Sequence, residues 1–359
     1  MSSCGEPLAF VMCATGFRAS LRPERRESVS AVSARFTWGM RRVLVLGGTG
    51  WLGRQIAVAA RDSGSHVVCL ARGQSGDVPD GVELVQSDRR LPGAYDRVMG
   101  EWDEVIELAY EPELVGPALR SLAARAAHWT LVSSVSVYAD SSTPDADETA
   151  ELVEPSDLTM YPDAKVAAER ATAERIGDRL LIARPGLIVG PGDPSDRFGY
   201  WPARLHQGGR VLTPSRGGRY VQVIDVDDLA EWIVRAGTDR RIGIVNAVGV
   251  VHTMDDFFRA ARTTTGFEGE LIAVDDDTLL AHDLHYWAGP RSLPLWLPIA
   301  DVGFVRRDGT SFLATGGRLR PLEDTLLRTL TDEVERGVGR PRRSGITTSE
   351  EQEVLDAVR

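Results

Sequence analysis

The chain has 359 residues, 43% hydrophobic and 26% charged, with a formal net charge of −11 and a pI near 5.2. That length suits two lobes rather than one compact core, and so acidic a chain is a poor match for free nucleic acid or an anionic membrane. Cys4, Cys13 and Cys69 fit neither a metal clip nor a disulfide framework and read as a reducing cytoplasm, and the six histidines lack paired-ligand spacing, so no metal is expected.

Residues 1–40 differ from the rest of the chain. They hold a short apolar stretch, LAFVMCATGF, then the arginine- and serine-rich run RASLRPERRESVSAVSARF. MSSCGEP has no basic region to open a secretory signal, and Glu6, Glu24 and Glu27 argue against a transit peptide. The apolar stretch is too short to span a bilayer. Two readings stay open: a disordered extension, or an upstream start assigned in error, since Met40 runs straight into RRVLVLGG.

From residue 41 the pattern is regular. RRVLVLGG is an apolar run that stops at glycine, as a buried strand does. WLGRQIAVAARDSG has helical spacing and ends at Gly64. HVVCLAR, VELVQSD, WDEVIELAY and HWTLVSSVSVY are further strands, with helical patterns between most of them. Strands alternating with helices at this spacing predict an α/β fold whose parallel sheet is covered on both faces.

Between the first strand and the first helix lies GGTGWLG, with Gly47, Gly50 and Gly53 spaced G-x-x-G-x-x-G. Glycine permits a tight turn and close approach of backbone to a pyrophosphate, and the helix N-terminus offers free N–H groups. Thr49, Trp51 and Leu52 share that turn and join the glycines as candidate cofactor contacts.

Further on, YPDAKVAAERATAERIG reads as a helix with Pro162 in its first turn and Gly177 as its stop. Tyr161 and Lys165, four apart, share a face. An ammonium near a phenol favours phenolate and draws a pKa near ~10 toward working pH, where the group can pass a proton to or from a carbonyl oxygen. Every other basic residue in the chain is arginine. Arginine has the charge without the same compact reach, a reason to keep the one lysine. In DPSDRFGYWPARLHQGG, Tyr200, Trp201 and Arg204 are candidate pocket residues, and WAGPRSLPLWLP is an aromatic, rigid segment packed over the sheet. RPLEDTLLRTLTDEVERG and SEEQEVLDAVR close the chain as amphipathic helices.

The glycine turn, SSVSVY and YPDAK together resemble the extended short-chain dehydrogenase/reductase superfamily, most closely its bacterial epimerase/dehydratase-like and reductase members, over residues 41 to about 250. The resemblance implies a Rossmann doubly wound parallel sheet with a smaller, discontinuous C-terminal substrate lobe. Residues 41–190 would form the nucleotide-binding domain, with 220–250 returning to it. Residues 191–359 would be mainly the substrate lobe and C-terminal helices.

It also implies roles. Tyr161 and Lys165 would be catalytic, with Lys165 also holding the nicotinamide ribose. Ser134, four before Tyr138, would polarise the substrate oxygen. Ser133 and Ser136 are rivals, and strand alternation puts Ser136 on the same side as Ser134, facing substrate. VYAD stands here where the superfamily usually has V-Y-G. Asp88 would meet the adenine, Leu108 and Ala109 the cofactor from the fourth strand, and Pro185 and Leu187 the nicotinamide carboxamide. Tyr110 is bulkier than usual at its place. Arg219, in GGRYVQVIDVDDLAEWIVRAG, which looks like the superfamily's R-x-x-V-x-V-x-D-x-A segment, would face an anionic substrate group. The second strand ends at Arg72 with no acid before Asp77, which favours the 2′-phosphate of NADP over NAD, with NAD the alternative.

The function implied is an NAD(P)-dependent oxidoreductase acting on a carbonyl or alcohol of a small molecule. Nucleotide-sugar epimerisation or dehydration is the alternative, and a non-catalytic nucleotide-binding regulator on the same fold is another. Leu187 and Ile188 stand where the superfamily often has an asparagine for a nucleotide-sugar diphosphate, which weighs against that substrate. A cytoplasmic monomer or homodimer with a small-molecule partner, and no nucleic acid or membrane, completes the expectation.

Overall fold

The structure, a computed structural model, describes residues 39–358. The two readings of the leader therefore lie outside the described residues, apart from its last two positions.

The chain runs β1 (Arg42–Leu46), α1 (Trp51–Asp62), β2 (His66–Ala71), β3 (Glu83–Gln86), β4 (Glu104–Glu107), α2 (Pro112–Leu122), β5 (Trp129–Val132), α3 (Tyr161–Ile176), β6 (Leu180–Pro185) and β7 (Leu187–Val189). It continues through α4 (Arg197–His206), β8 (Arg210–Pro214), β9 (Tyr220–Asp225), α5 (Val226–Thr238), β10 (Gly243–Ala247), β11 (Val251–Thr253), α6 (Met254–Thr265) and β12 (Glu270–Val274). Last come α7 (Asp276–Ala281), β13 (His285–Trp287), β14 (Ser292–Pro294), α8 (Thr310–Ala314), α9 (Leu322–Arg336) and α10 (Thr348–Ala357).

Seven strands form one sheet in the order β10-β6-β5-β4-β1-β2-β3, every neighbouring pair parallel. The order reverses between β1 and β4, the arrangement of a doubly wound Rossmann sheet. Side chains of β1 alternate as a period of two requires. Leu44 and Leu46 pack into the core under α2 and α3; Val43 and Val45 pack into the one under α1 and α5. Both faces are buried, which is why RRVLVLGG is apolar without a break.

A second core belongs to the lobe. Phe198, Tyr200, Trp201, Phe257, Phe258 and Trp296 are among its buried members. Small sheets frame it: β11-β9-β7, β12-β8 and β13-β14. The return to the main sheet is made by α5, which packs on α1, and by β10, which pairs with β6. β9 instead pairs with β7 and β11.

Two local readings are corrected. β5 stops at Val132, so SSVSVY is not strand. Ser134 caps a 3-10 turn, Val135–Val137, its Oγ accepting the Ser136 N–H at 3.1 Å. The alternation that put Ser134 and Ser136 on one side is absent, but the turn brings their hydroxyls to 3.1 Å.

Candidate active site

In sheets of this kind, ligands lie at the carboxyl ends of the strands where the order reverses. Here that point joins the end of β1 to the end of β4. Gly47 follows β1 with φ +100°, a conformation glycine adopts freely, and its carbonyl accepts the Gly50 N–H at 3.1 Å. Gly50 caps α1 in extended conformation. A Cβ on Gly53 would fall 2.4 Å from the Gly47 oxygen and 2.9 Å from the Gly48 Cα, so helix and turn touch backbone to backbone. A Cβ on Gly50 would meet only that oxygen, at 3.5 Å, so its far side is open. This cradle fits a pyrophosphate set against the free N–H groups of the first helical turn.

Two connected hollows open from it. One, about 290 Å³, is lined by Gly47, Thr49, Gly50, Arg72, Gln74, Ser75, Asp88, Leu108 and Ala109 among others. Arg72 is exposed at the end of β2 and makes no ion pair among the described residues. Arg54, in the first turn of α1, donates to the Asp77 carbonyl and does not line this hollow. Asp88 caps its own turn through the Arg90 N–H at 3.0 Å.

The other hollow, about 610 Å³, is lined by Trp51, Leu52, Gly53, Leu108, Ser133, Ser134, Ser136, Tyr161, Lys165, Pro185 and Leu187, with Asp193, Arg197, Trp287 and Phe304 on its outer side. Tyr110 borders both hollows. It meets Tyr161 edge to face at 5.0 Å, and the Lys165 ammonium lies 4.9 Å from its ring centre.

Ser134, Tyr161 and Lys165 thus converge from the turn after β5 and the start of α3. Lys165 is buried at 4% exposure, and its Nζ donates to the Val132 carbonyl at 2.7 Å. Burial pushes its pKa down to about 8, opposed by the charges of Glu107, Glu111 and Glu169. Burial likewise raises the Tyr161 phenol; a hydrogen bond from Ser134 and the charge of Arg197 pull it back. The expectation that Lys165 acts as the cation drawing Tyr161 down is therefore corrected. Lys165 is turned to a strand carbonyl, its Nζ 5.7 Å from the Tyr161 ring centre, and the charge facing the phenol belongs to Arg197.

Four expected substrate contacts lie elsewhere. Tyr200 and Trp201 are 3% and 1% exposed in the lobe core, Trp201 donating Nε1–H to the Pro294 carbonyl at 2.7 Å. Arg204 is bound to Glu351 and to the carbonyls of Gly208 and Arg210. Arg219 is buried against Asp276 and the Leu297 carbonyl. Four successive residues of α4, Phe198–Trp201, are buried, so only the first residue of that helix, Arg197, reaches the cleft. The sequence reading missed Arg197 and Asp193. The available signal was DPSDR, a polar turn opening a helix whose next four residues are core.

Among the described residues, no group of His, Cys, Asp and Glu is arranged to hold a metal ion, and no helix is long and apolar enough to cross a membrane.

The model of the NAD dependent epimerase/dehydratase family matches residues 43–116 and 114–248. The 2′-dehydrokanamycin reductase of Streptomyces kanamyceticus is 25% identical over 79% of this chain and 84% of its own. UDP-glucose 4-epimerase of Thermotoga maritima, solved with UDP-glucose, superposes with TM-score 0.61 at 17% identity, over 82% of this chain and 99% of that one. UDP-glucuronic acid 4-epimerase of Bacillus cereus, solved with NAD, gives TM-score 0.61 at 15% identity over the same shares.

Proposed function

The chain belongs to the NAD dependent epimerase/dehydratase family, and from that premise we propose that it is an NADP-dependent reductase of a small carbonyl compound. One observation carries the reading: Ser134, Tyr161 and Lys165 line one cleft with the glycine turn.

The glycine turn, from Gly47 to Gly53, would hold the pyrophosphate. Arg72, with Gln74 and Ser75 beside it and no acid at the strand end, would take the 2′-phosphate. Asp88, Leu108 and Ala109 would line the adenosine side, and Pro185 and Leu187 the nicotinamide side. When bound, the nicotinamide supplies the hydride.

The protein's own residues handle the proton. A phenol with ordinary pKa near ~10, raised further here by burial, is protonated at neutral pH, so Tyr161 is a donor. Ser134 hydrogen-bonds the carbonyl oxygen and holds it at the phenol. As the carbonyl carbon gains hydride, its oxygen takes the Tyr161 proton, and an alcohol results. Lys165, fixed at Val132, would hold the nicotinamide ribose.

Reduction suits the cleft better than nucleotide-sugar chemistry. Leu187 is apolar, and Arg219 is buried against Asp276, so neither offers a diphosphate a partner. The name of the Streptomyces relative, a reductase, points the same way.

The test is titration with NADPH and NADH by fluorescence, in wild type, Lys165→Ala and Arg72→Ala. NADPH should bind at least about tenfold tighter than NADH, a difference of ~1.4 kcal/mol. Arg72→Ala should erase that preference and Lys165→Ala weaken both. Tighter NADH binding, or NAD that copurifies, would favour epimerisation. Binding of neither would end the enzyme reading.

A further inference from the structure

The proposed reduction leaves one cation of the cleft without a task. Arg197 opens α4, its Nε donating to the Ser195 hydroxyl at 3.2 Å. Its guanidinium carbon lies 5.2 Å from the Trp287 ring centre, and Trp287 packs edge-on against Phe304 at 5.5 Å. Three separate chain segments thus fix one planar cation at the outer wall.

Several other poorly exposed arginines of this protein are matched by carboxylates. Arg89 pairs with Glu107, Arg184 with Glu169 and Arg204 with Glu351. Arg197 makes no ion pair among the described residues. Asp193 is its acidic neighbour, but that carboxylate is engaged by the N–H and hydroxyl of Ser195, each at 2.8 Å. A guanidinium partly withdrawn from water with no carboxylate against it is costly. An anionic ligand removes that cost.

We propose that Arg197, shelved on Trp287, anchors the substrate, and that the substrate is a small oxo acid whose carboxylate meets Arg197 while its carbonyl meets Tyr161. The proposal rests on the reductase reading and names its substrate class. Arg197 and Tyr161 line the same hollow of about 610 Å³, so one small molecule can meet both. A carboxylate matches the fork of one guanidinium and its single charge. A phosphate or diphosphate carries more charge than Arg197 alone balances, with Asp193 close by. Val135, Leu187, Trp287 and Phe304 line the same hollow, so the body between the two groups is apolar. The carboxylate itself is unchanged in the reaction.

The probes are phenylglyoxylate and its neutral amide, titrated by quenching of tryptophan fluorescence in cofactor-free and NADPH-loaded protein. The carboxylate should bind wild type at least about tenfold tighter than the amide. Arg197→Leu should erase that preference with NADPH affinity unchanged, and Arg197→Lys should restore part of it. If Arg197→Leu fails to fold, Arg197→Gln takes its place. Equal affinity for the two probes, no binding of either, or a preference that survives loss of Arg197 overturns the proposal. If NADPH does not bind, the reductase reading falls, and the preference in cofactor-free protein still decides the role of Arg197.

Discussion

Lys165 reaches from the first turn of α3 to the end of β5 and donates its Nζ proton to the Val132 carbonyl at 2.7 Å. The bond holds the helix that carries Tyr161 to the strand that leads into Ser134. The same burial that makes it possible taxes the ammonium, whose pKa falls to about 8.

Lys165→Met tests this balance. At neutral pH both folded and unfolded chains hold the proton, so the folded state bears the full cost of the buried charge. As pH rises from about 8 toward the ordinary value of 10.5, the folded chain has lost the proton and the unfolded chain keeps it. Wild-type stability relative to Lys165→Met therefore rises with pH across that window, by on the order of 3 kcal/mol. Urea unfolding at neutral pH and near pH 10 measures it, and a difference that does not grow with pH contradicts it.

Tyr161→Phe keeps the edge-to-face contact with Tyr110 and removes only the proton donor. Turnover should fall by roughly 10²–10⁴ with NADPH affinity retained. In wild type, the rate of reduction should hold level at neutral pH and decline above about pH 8, where Lys165 loses its charge. A pH profile of kcat/KM reads this, and a rate that rises through that region would show that reduction does not need the Lys165 charge.

Gly50→Ala and Gly53→Ala separate folding from binding. The added Cβ at Gly50 clears the protein, its nearest atom 3.5 Å away, but stands on the open face of the cradle. This variant should melt like wild type and bind NADPH at least about tenfold more weakly. At Gly53 the Cβ is 2.4 Å from backbone oxygen, which cannot yield as a side chain does. That variant should lose roughly 1–3 kcal/mol or more of stability. Thermal melts beside NADPH titrations distinguish the two.

Arg204→Ala should act on stability alone. It strips Glu351, 2% exposed, of its ion-pair partner and leaves it the Leu212 N–H, a loss of about 3–5 kcal/mol. The folded fraction should keep the wild-type KM for any substrate found. A raised KM would return Arg204 to the cleft.

The nucleotide half of the molecule was legible because its signals are local. The apolar run of β1, the glycine spacing after it, and Pro162 and Gly177 around α3 each act within a few residues. The outer wall was not. Arg219 is claimed by Asp276, 57 positions on, and Arg204 by Glu351, 147 positions on. Nothing in GYWPARLHQ shows which side of its helix another chain segment will cover. Arg197 was passed over for the opposite reason: it looks like an ordinary helix-start arginine until Trp287, from a distant strand, lies beneath it. Ser134 lines the cleft although the strand assumed for it ends early, carried there by the 3-10 turn that follows.

Trp51 begins α1, yet its indole N–H bonds to the Pro191 carbonyl at 2.8 Å, and its ring lies against Gly192. The turn that would grip the pyrophosphate is thereby tied to the loop that leads to Asp193 and Arg197. One side chain is thus shared between the two ends of the cleft.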